Sequence, residues 1–272
     1  MKVIREKKEA NYNPILVKFL FGITGIILFI FLWEIVLRLF LLQPNFSQFK
    51  GFLPLFTLKA LISLTIEKFF WISIFASLRR VIIGLFFASM FGIPVGLLVG
   101  AFRYLRDITN APFQFVRMIS PISWMPIALI FLPGFEEAIL FLIFIVTVWP
   151  ILLNTSHGVI NANPDWIKMA RNQGASERQL LFRIIFPASI PYMVTGFRLG
   201  IGVAWIILVP AEMIGTSSGL GYLINDARDT MEYDKLMAAV IAIGIIGFCI
   251  DSLFQVVKRK FEWKPRKELF RR

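Results

Sequence analysis

Residues 77–100 read SLRRVIIGLFFASMFGIPVGLLVG, and from Val81 onward the stretch carries no charge. A bilayer crossing takes roughly 20 apolar residues. In lipid a lone segment satisfies its own backbone only as a helix. The stretch is therefore predicted to be a membrane-spanning helix. Runs of the same kind occupy 15–42, 112–132, 138–159, 189–211 and 236–257. The expected fold is an all-α integral membrane protein with six transmembrane helices. Composition agrees: of 272 residues 57% are hydrophobic and only 17% charged, and the mean hydropathy is +0.73. A soluble domain keeps far more charge on its surface, so a soluble enzyme is excluded.

The net charge of +12 does not point to nucleic acid, because the basic residues are distributed as membrane topology requires. Lys2, Arg5, Lys7, Lys8 and Lys18 precede or open the first run. Arg103 and Arg106 follow the second, and Lys168, Arg171, Arg178 and Arg183 lie between the fourth and fifth. A basic tail, 258–272, ends the chain. These clusters fall on alternate loops, the positive-inside pattern, and place both termini in the cytoplasm. The N-terminal apolar run is too long for a signal-peptide core and is read as an anchor. The tail is expected to lie on anionic lipid. Cys249 is the one cysteine and lies in an apolar run, which leaves no disulfide within the chain. His157 has no companions for a metal site.

Two segments are less regular. Residues 55–75 are apolar but interrupted by Lys59, Glu67 and Lys68, and are expected to form an amphipathic interfacial helix on the outer side. Arg79 and Arg80 then fall at the outer end of the second span, to snorkel or to cap the preceding helix, unless 55–75 dips deeper into the membrane. Glu34 and Arg38 are four apart and can pair on the first span. Gly and Pro interrupt the spans: Gly92, Pro94 and Gly96 in the second, Pro112, Pro121 and Pro126 in the third, Gly196, Gly200, Gly202 and Pro210 in the fifth. Broken helices want protein or water beside them. Bent, glycine-lined helices around a passage are one reading; the general abundance of Gly and Pro in membrane helices is the other.

Between the fourth and fifth spans lies IKMARNQGASERQLLFRIIFPASIP, residues 167–191. It reads as a short helix over 165–171, a turn at Gly174, a second helix over 176–185 and a restart of the next span at Pro187. Ser176 with Gln179 forms a capping box, with Glu177 favourable in the first turn. At Gly174 a side chain is expected to push the two helices apart. Such a pair can plug a partner's groove, or simply connect two spans through solvent.

The spacing Ala170–x3–Gly174–x9–Ile184–x–Phe186–Pro187 resembles the E-A-A-x3-G-x9-I-x-L-P loop of ABC importer permeases. Lys168, Met169 and Phe186 depart from it. Residues 77–100, GFRLGIGVAWIILVPAE (196–212) and GTSSGLGYLI (215–224) resemble the nitrate, sulfonate, taurine and bicarbonate importer group. FQFVRMISPISWMPIALI (113–130) and FIVTVWPILLNTSHGV (144–159) are most similar to its cyanobacterial-type nitrate and bicarbonate permeases. The resemblance implies a type I importer transmembrane domain in the bacterial inner membrane. It divides into an N-terminal part (1–76), a five-helix core (77–257) with a coupling loop (160–187), and the basic tail. It implies a homodimer with a second permease copy, two cytoplasmic ATPase subunits that bind ATP and Mg, and a periplasmic or lipid-anchored binding protein. Asp165, Ala170, Gly174, Ala175, Ile184 and Pro187 would meet the ATPase. The chain itself has no GxxxxGK[ST] phosphate loop, so it is not its own motor, and no cofactor is expected in it.

An anion in hydrocarbon needs compensation. Arg117 and Arg198 are the candidate cations of the path, each with a structural alternative as a helix pin. Ser120, Ser123, Thr147, Asn154 and Thr155 are neutral donors suited to weak, replaceable contacts, or to helix–helix bonding. Trp124 and Trp205 can shape a gate or pack, and Glu212 can hold a gate or cap a following element. Asp226, Asp229, Glu232 and Asp234 form an outward acidic set for a basic patch on a binding protein, or a solvated loop. Nitrate or nitrite is the expected solute, then bicarbonate, then sulfonates such as taurine. An intramembrane enzyme lacks a nucleophile–base pair. An ion-coupled secondary transporter predicts midplane acids, yet Glu212 and Asp251 lie nearer span ends.

Overall fold

The computed structural model describes residues 14–261, and every regular element in it is helical. The N-terminal lysines and arginine, and the tail beyond 261, lie outside the described residues. Five helices are long and apolar enough to cross a membrane, or up to seven spans exist if each of two bent pairs counts as one.

Helix α1 (Pro14–Leu41) exposes Phe21, Ile26, Phe29 and Leu39, as a lipid-facing helix does, and Arg38 pairs with Glu34 at 2.6 Å as its spacing predicts. A 3-10 stretch, Pro44–Phe52, leads to α2 (Pro54–Ile66). The expected single helix over 55–75 is corrected here. The chain is extended at Glu67 (φ −74°, ψ 123°), and 68–75 belong to α3 (Lys68–Ala101), a helix of 34 residues. Nor does α2 only lie on an interface. Thr57, Ala60 and Leu64, one helical face by their spacing, are buried, and α2 packs on the last helix, α11 (Tyr233–Phe261).

The third span is also corrected. Helix α4 (Arg103–Met118) and the stretch Pro121–Phe131, which ends in α5 (Met125–Phe131), meet at 91°. Pro121 disfavours the helical region for the residue before it, and Ser120 is accordingly non-helical (ψ 127°).

The core is α6 (Phe135–Ile160) sandwiched between α3 and α9 (Phe186–Gly215). Gly84, Ala88, Gly92, Gly96 and Gly100 recur every fourth residue and form a ridge of small residues on α3. A Cβ on Gly96 would lie 2.5 Å from the Leu152 carbonyl, and one on Gly100 2.6 Å from Val159 Cβ. Gly196 meets Pro150 and Asn154 in the same way from α9. Close approach through small residues is how helices associate where lipid removes the hydrophobic drive. These glycines therefore do not line a passage; they seat α6. The fifth span does not restart at Pro187 either. A helical run, 177–215, passes through it after one π turn, Leu181–Ile185, in which the Phe186 N–H bonds to the Leu181 carbonyl. A wider turn beside a proline accommodates the ring and missing donor without ending the helix.

Candidate functional site

Two adjoining cavities lie between α4 and α6. The first, about 430 Å³, is bounded by the α4–α5 bend, α6 and α9. Its wall includes Trp124, Trp149 and Pro150, with Arg117 and Asn154 as the polar groups. The second, about 320 Å³, runs along α4 toward the junction of α3 and α4. Arg117 and Leu153 border both. Among the described residues the Arg117 guanidinium makes no ion pair. Phe113 stacks obliquely on Trp149 with ring centroids 5.2 Å apart, closing the wall where the cavities meet.

The other sequence-selected residues are distributed unevenly. Asn154 donates its amide to the Pro150 carbonyl at 2.8 Å, which leaves its amide oxygen and body at the cavity. Ser120 and Ser123 are exposed at the α4–α5 bend, outside both linings. Thr147 and Thr155 are fully buried and donate to the Ile143 and Ile151 carbonyls of their own helix at 2.6 and 2.7 Å. Those two hydroxyls serve α6. Arg198 grips Asp251 of α11 through two hydrogen bonds, 2.9 and 3.1 Å, with Gln255 also donating to the carboxylate. Trp205 donates to the Ile243 carbonyl and shares a small cleft with that pair. His157 stands in the second cavity, and no group of three metal-ligating residues occurs among the described residues.

Glu212 is in neither cavity. It lies at the opposite end of the bundle, 1% exposed, where Ser77 and Arg80 of α3 donate to it at 2.8 and 2.6 Å. The Gly221 N–H, at the start of α10 (Leu220–Asp229), adds a bond of 2.9 Å. Arg80 also bonds the Ser218 carbonyl and, with Arg79, the Glu136 carboxylate at the start of α6. Arg80 is thus not snorkelling: it is 3% exposed and ties α3 to α6, α9 and the loop before α10, while Arg79 stays largely exposed beside Glu136. Gly219 has φ +126°, and the Glu212 carboxyl fills the place of its missing side chain. Of the acidic set, Asp229 pairs with Arg228, and Glu232 pairs with Lys235, which also reaches Glu67.

The loop between α6 and α9 forms α7 (Pro164–Asn172), capped by Asn163 accepting from the Asp165 N–H, and a short α8 (Glu177–Leu180). Ser176 and Gln179 form the predicted reciprocal box. Gly174 N–H bonds the Arg171 carbonyl and Ala175 N–H the Ala170 carbonyl, both 3.0 Å. That pair of bonds is a Schellman turn, which wants a left-handed residue at its hinge, and Gly174 has φ +80°. The spacing of Ala170 and Gly174 is therefore the geometry of one helix stop. A Cβ on Gly174 would touch nothing within 4 Å, so the expected clash between helices is not the reason for glycine. Trp166, Met169 and Phe182 are exposed around this turn.

The family model for the binding-protein-dependent transport system inner membrane component matches residues 92–263. The chain belongs to that family: it is an ABC importer permease subunit. The permease is 39% identical to the nitrate import permease protein NrtB of a Synechocystis species, over 68% of this chain and 67% of that one. It is 35% identical to the bicarbonate transport system permease protein CmpB of Synechococcus elongatus, over 88% of each. In fold it resembles a chain of the inward-facing MetNI methionine ABC transporter, with a TM-score of 0.62 and 16% identity over 72% of this chain and 99% of the other.

Sequence reasoning missed most of the second cavity. Arg106, Asn110, Gln114 and Arg117 of the permease line it at steps of four, four and three, the spacing of one helical face. The signal was present, but placing 100–112 in a loop split the helix that carries it.

Proposed function

We propose that the permease moves a small oxyanion, nitrate foremost, and that the single observation carrying this is Arg117: a cation without an ion pair among the described residues at the border of two adjoining cavities. An anion leaving water needs such a partner, and one weakly hydrated, solvent-reachable charge with neutral neighbours releases as readily as it binds. Trp124 and Asn154 share its cavity, with Ser120 and Ser123 at the bend beside it; Arg198, Trp205 and Glu212 hold helices. Bicarbonate is the second reading, favoured by the likeness to a bicarbonate permease over 88% of the chain; alkanesulfonates or taurine come third.

In this reading six crossings, five long helices and the bent α4–α5 pair, put both termini in the cytoplasm of a bacterial inner-membrane protein. Two copies form the membrane domain, and a binding protein delivers solute. Two ATPases receive the loop around Asp165, Ala170, Gly174, Ala175, Ile184 and Pro187, and ATP binding and hydrolysis bias two states of the bundle. The test is ATP-dependent uptake of labelled nitrate by proteoliposomes holding the permease, its ATPases and its binding protein, with excess bicarbonate or taurine as competitor. Uptake resisting both competitors is expected. Absent nitrate uptake, with ATP hydrolysis stimulated by a competitor, would move the substrate.

A further inference from the structure

The second cavity carries a line of polar side chains. Along α4, Arg106, Asn110, Gln114 and Arg117 place a donor at nearly every turn, and Ser156 and His157 of α6 face them across it. Arg106 is half-buried, and neither it nor Arg117 is ion-paired among the described residues. The one carboxylate in the wall, Asp107, is engaged by Arg103 at 3.7 Å. Two guanidiniums bound the cavity while its only acid is offset, so its field favours an anion. Planar guanidinium and amide donors suit the planar oxygens of an oxyanion. The cavity lies at the end of the bundle opposite Glu212, where α3 gives way at Phe102 to the basic first turn of α4.

We infer that this cavity is a second oxyanion site, loaded from the cytoplasmic side, at which accumulated solute binds back and slows the transport cycle. The inference rests on the proposed oxyanion transport and on the topology that places this end in the cytoplasm. An anion held at Arg106 lies between the bulk cytoplasm and Arg117. There it opposes release of the next one by like-charge repulsion, and it retains the bundle state in which the cavity is open.

The experiment uses the complete complex in proteoliposomes with the ATPases facing the lumen, preloaded with either gluconate or nitrate. Initial uptake of labelled nitrate is expected to fall as luminal nitrate rises. The half-inhibiting concentration should rise about tenfold or more in Arg106→Gln and about fivefold in Asn110→Ala, as loss of one charged or neutral donor implies, and rise less in Arg106→Lys, which keeps the charge but not the planar fork. Two variants at different positions, each checked for intact assembly by size-exclusion chromatography, separate the effect from misfolding. Nitrate uptake insensitive to luminal nitrate, or equal half-inhibition in parent and both variants, would overturn the second site while leaving the transport reading intact. No nitrate uptake from gluconate-loaded vesicles would overturn the transport reading itself. Inhibition that vanishes when phosphatidylglycerol is added to phosphatidylcholine vesicles would assign the cavity to lipid phosphate and overturn the free-anion reading.

Discussion

Arg80→Ala should loosen one end of the bundle, and the geometry indicates by how much. The Arg80 guanidinium reaches Glu212 at 2.6 Å, the Ser218 carbonyl at 2.8 Å and Glu136 at 2.7 Å. Its loss leaves Glu212, whose side chain is fully buried, with only Ser77 and the Gly221 N–H as donors. Breaking a buried ion pair from one side costs about 3–5 kcal/mol. Glu136 is a third exposed and still pairs with Arg79, so it rehydrates and adds only about 0–1 kcal/mol. For a chain of this size each kcal/mol shifts Tm by about 2–4 °C, so the fall should be about 6–24 °C. The assay is the fraction of the purified complex that stays monodisperse after heating through a temperature series. Arg79→Ala, which removes a mostly exposed partner, is the matched control and should lose less than about 4 °C. Adding Glu212→Gln to Arg80→Ala removes the stranded charge while keeping acceptors for Ser77 and Gly221, and should recover about 2 kcal/mol or more. Equal Tm values for Arg80→Ala and Arg79→Ala would refute the reasoning, since the buried pair would then hold nothing.

Three further outcomes are expected. At Gly174 the left-handed φ, not space, sets the rule: Gly174→Asn should keep ATP hydrolysis coupled to uptake, while Gly174→Val, disfavoured there by about 1–2 kcal/mol, should raise hydrolysis per anion moved. Coupling lost equally in both would remove the Schellman explanation. Gly96→Ala should destabilise by about 1–3 kcal/mol through the overlap with the Leu152 carbonyl, whereas Gly202→Ala, with nothing within 4 Å, should stay within about 0.5 kcal/mol; thermal size-exclusion of both variants distinguishes them. Arg117→Gln should reduce nitrate uptake about tenfold or more, the cost of about 1.4 kcal/mol or more in a charged contact. Assembly with the ATPases should be unchanged, and unchanged uptake would take Arg117 out of the path.

The sequence by itself determined what depends on composition and short-range spacing. Long uncharged runs permit only helices in lipid, hence the all-α membrane fold. The spacing of Ser176 and Gln179 sufficed for the capping box, and that of Glu34 and Arg38 for their ion pair, because each is a contact within one helical turn. The loop spacing around Ala170 and Gly174 was legible, although its cause, a left-handed helix stop, was not. Local propensity could not divide 55–75, since Glu67 and Lys68 interrupt the apolar run but are compatible with a continuous amphipathic helix. Nor could it place the bend at Ile119–Ser120, since prolines elsewhere in the chain are carried inside continuous helices. Only the tertiary structure decided what long-range partners decide. Gly92, Gly96 and Gly196, which could line a passage, face α6 because neighbouring helices must approach closely, whereas Gly202 meets nothing within 4 Å. Arg80 is buried because Glu212 and Glu136, more than fifty residues away in sequence, arrive at the same end of the bundle. The cavities along α4 are bordered by a polar helical face, split in the sequence reading between a loop and a span, that stands against α6 with Arg106 and Arg117 outside any ion pair among the described residues.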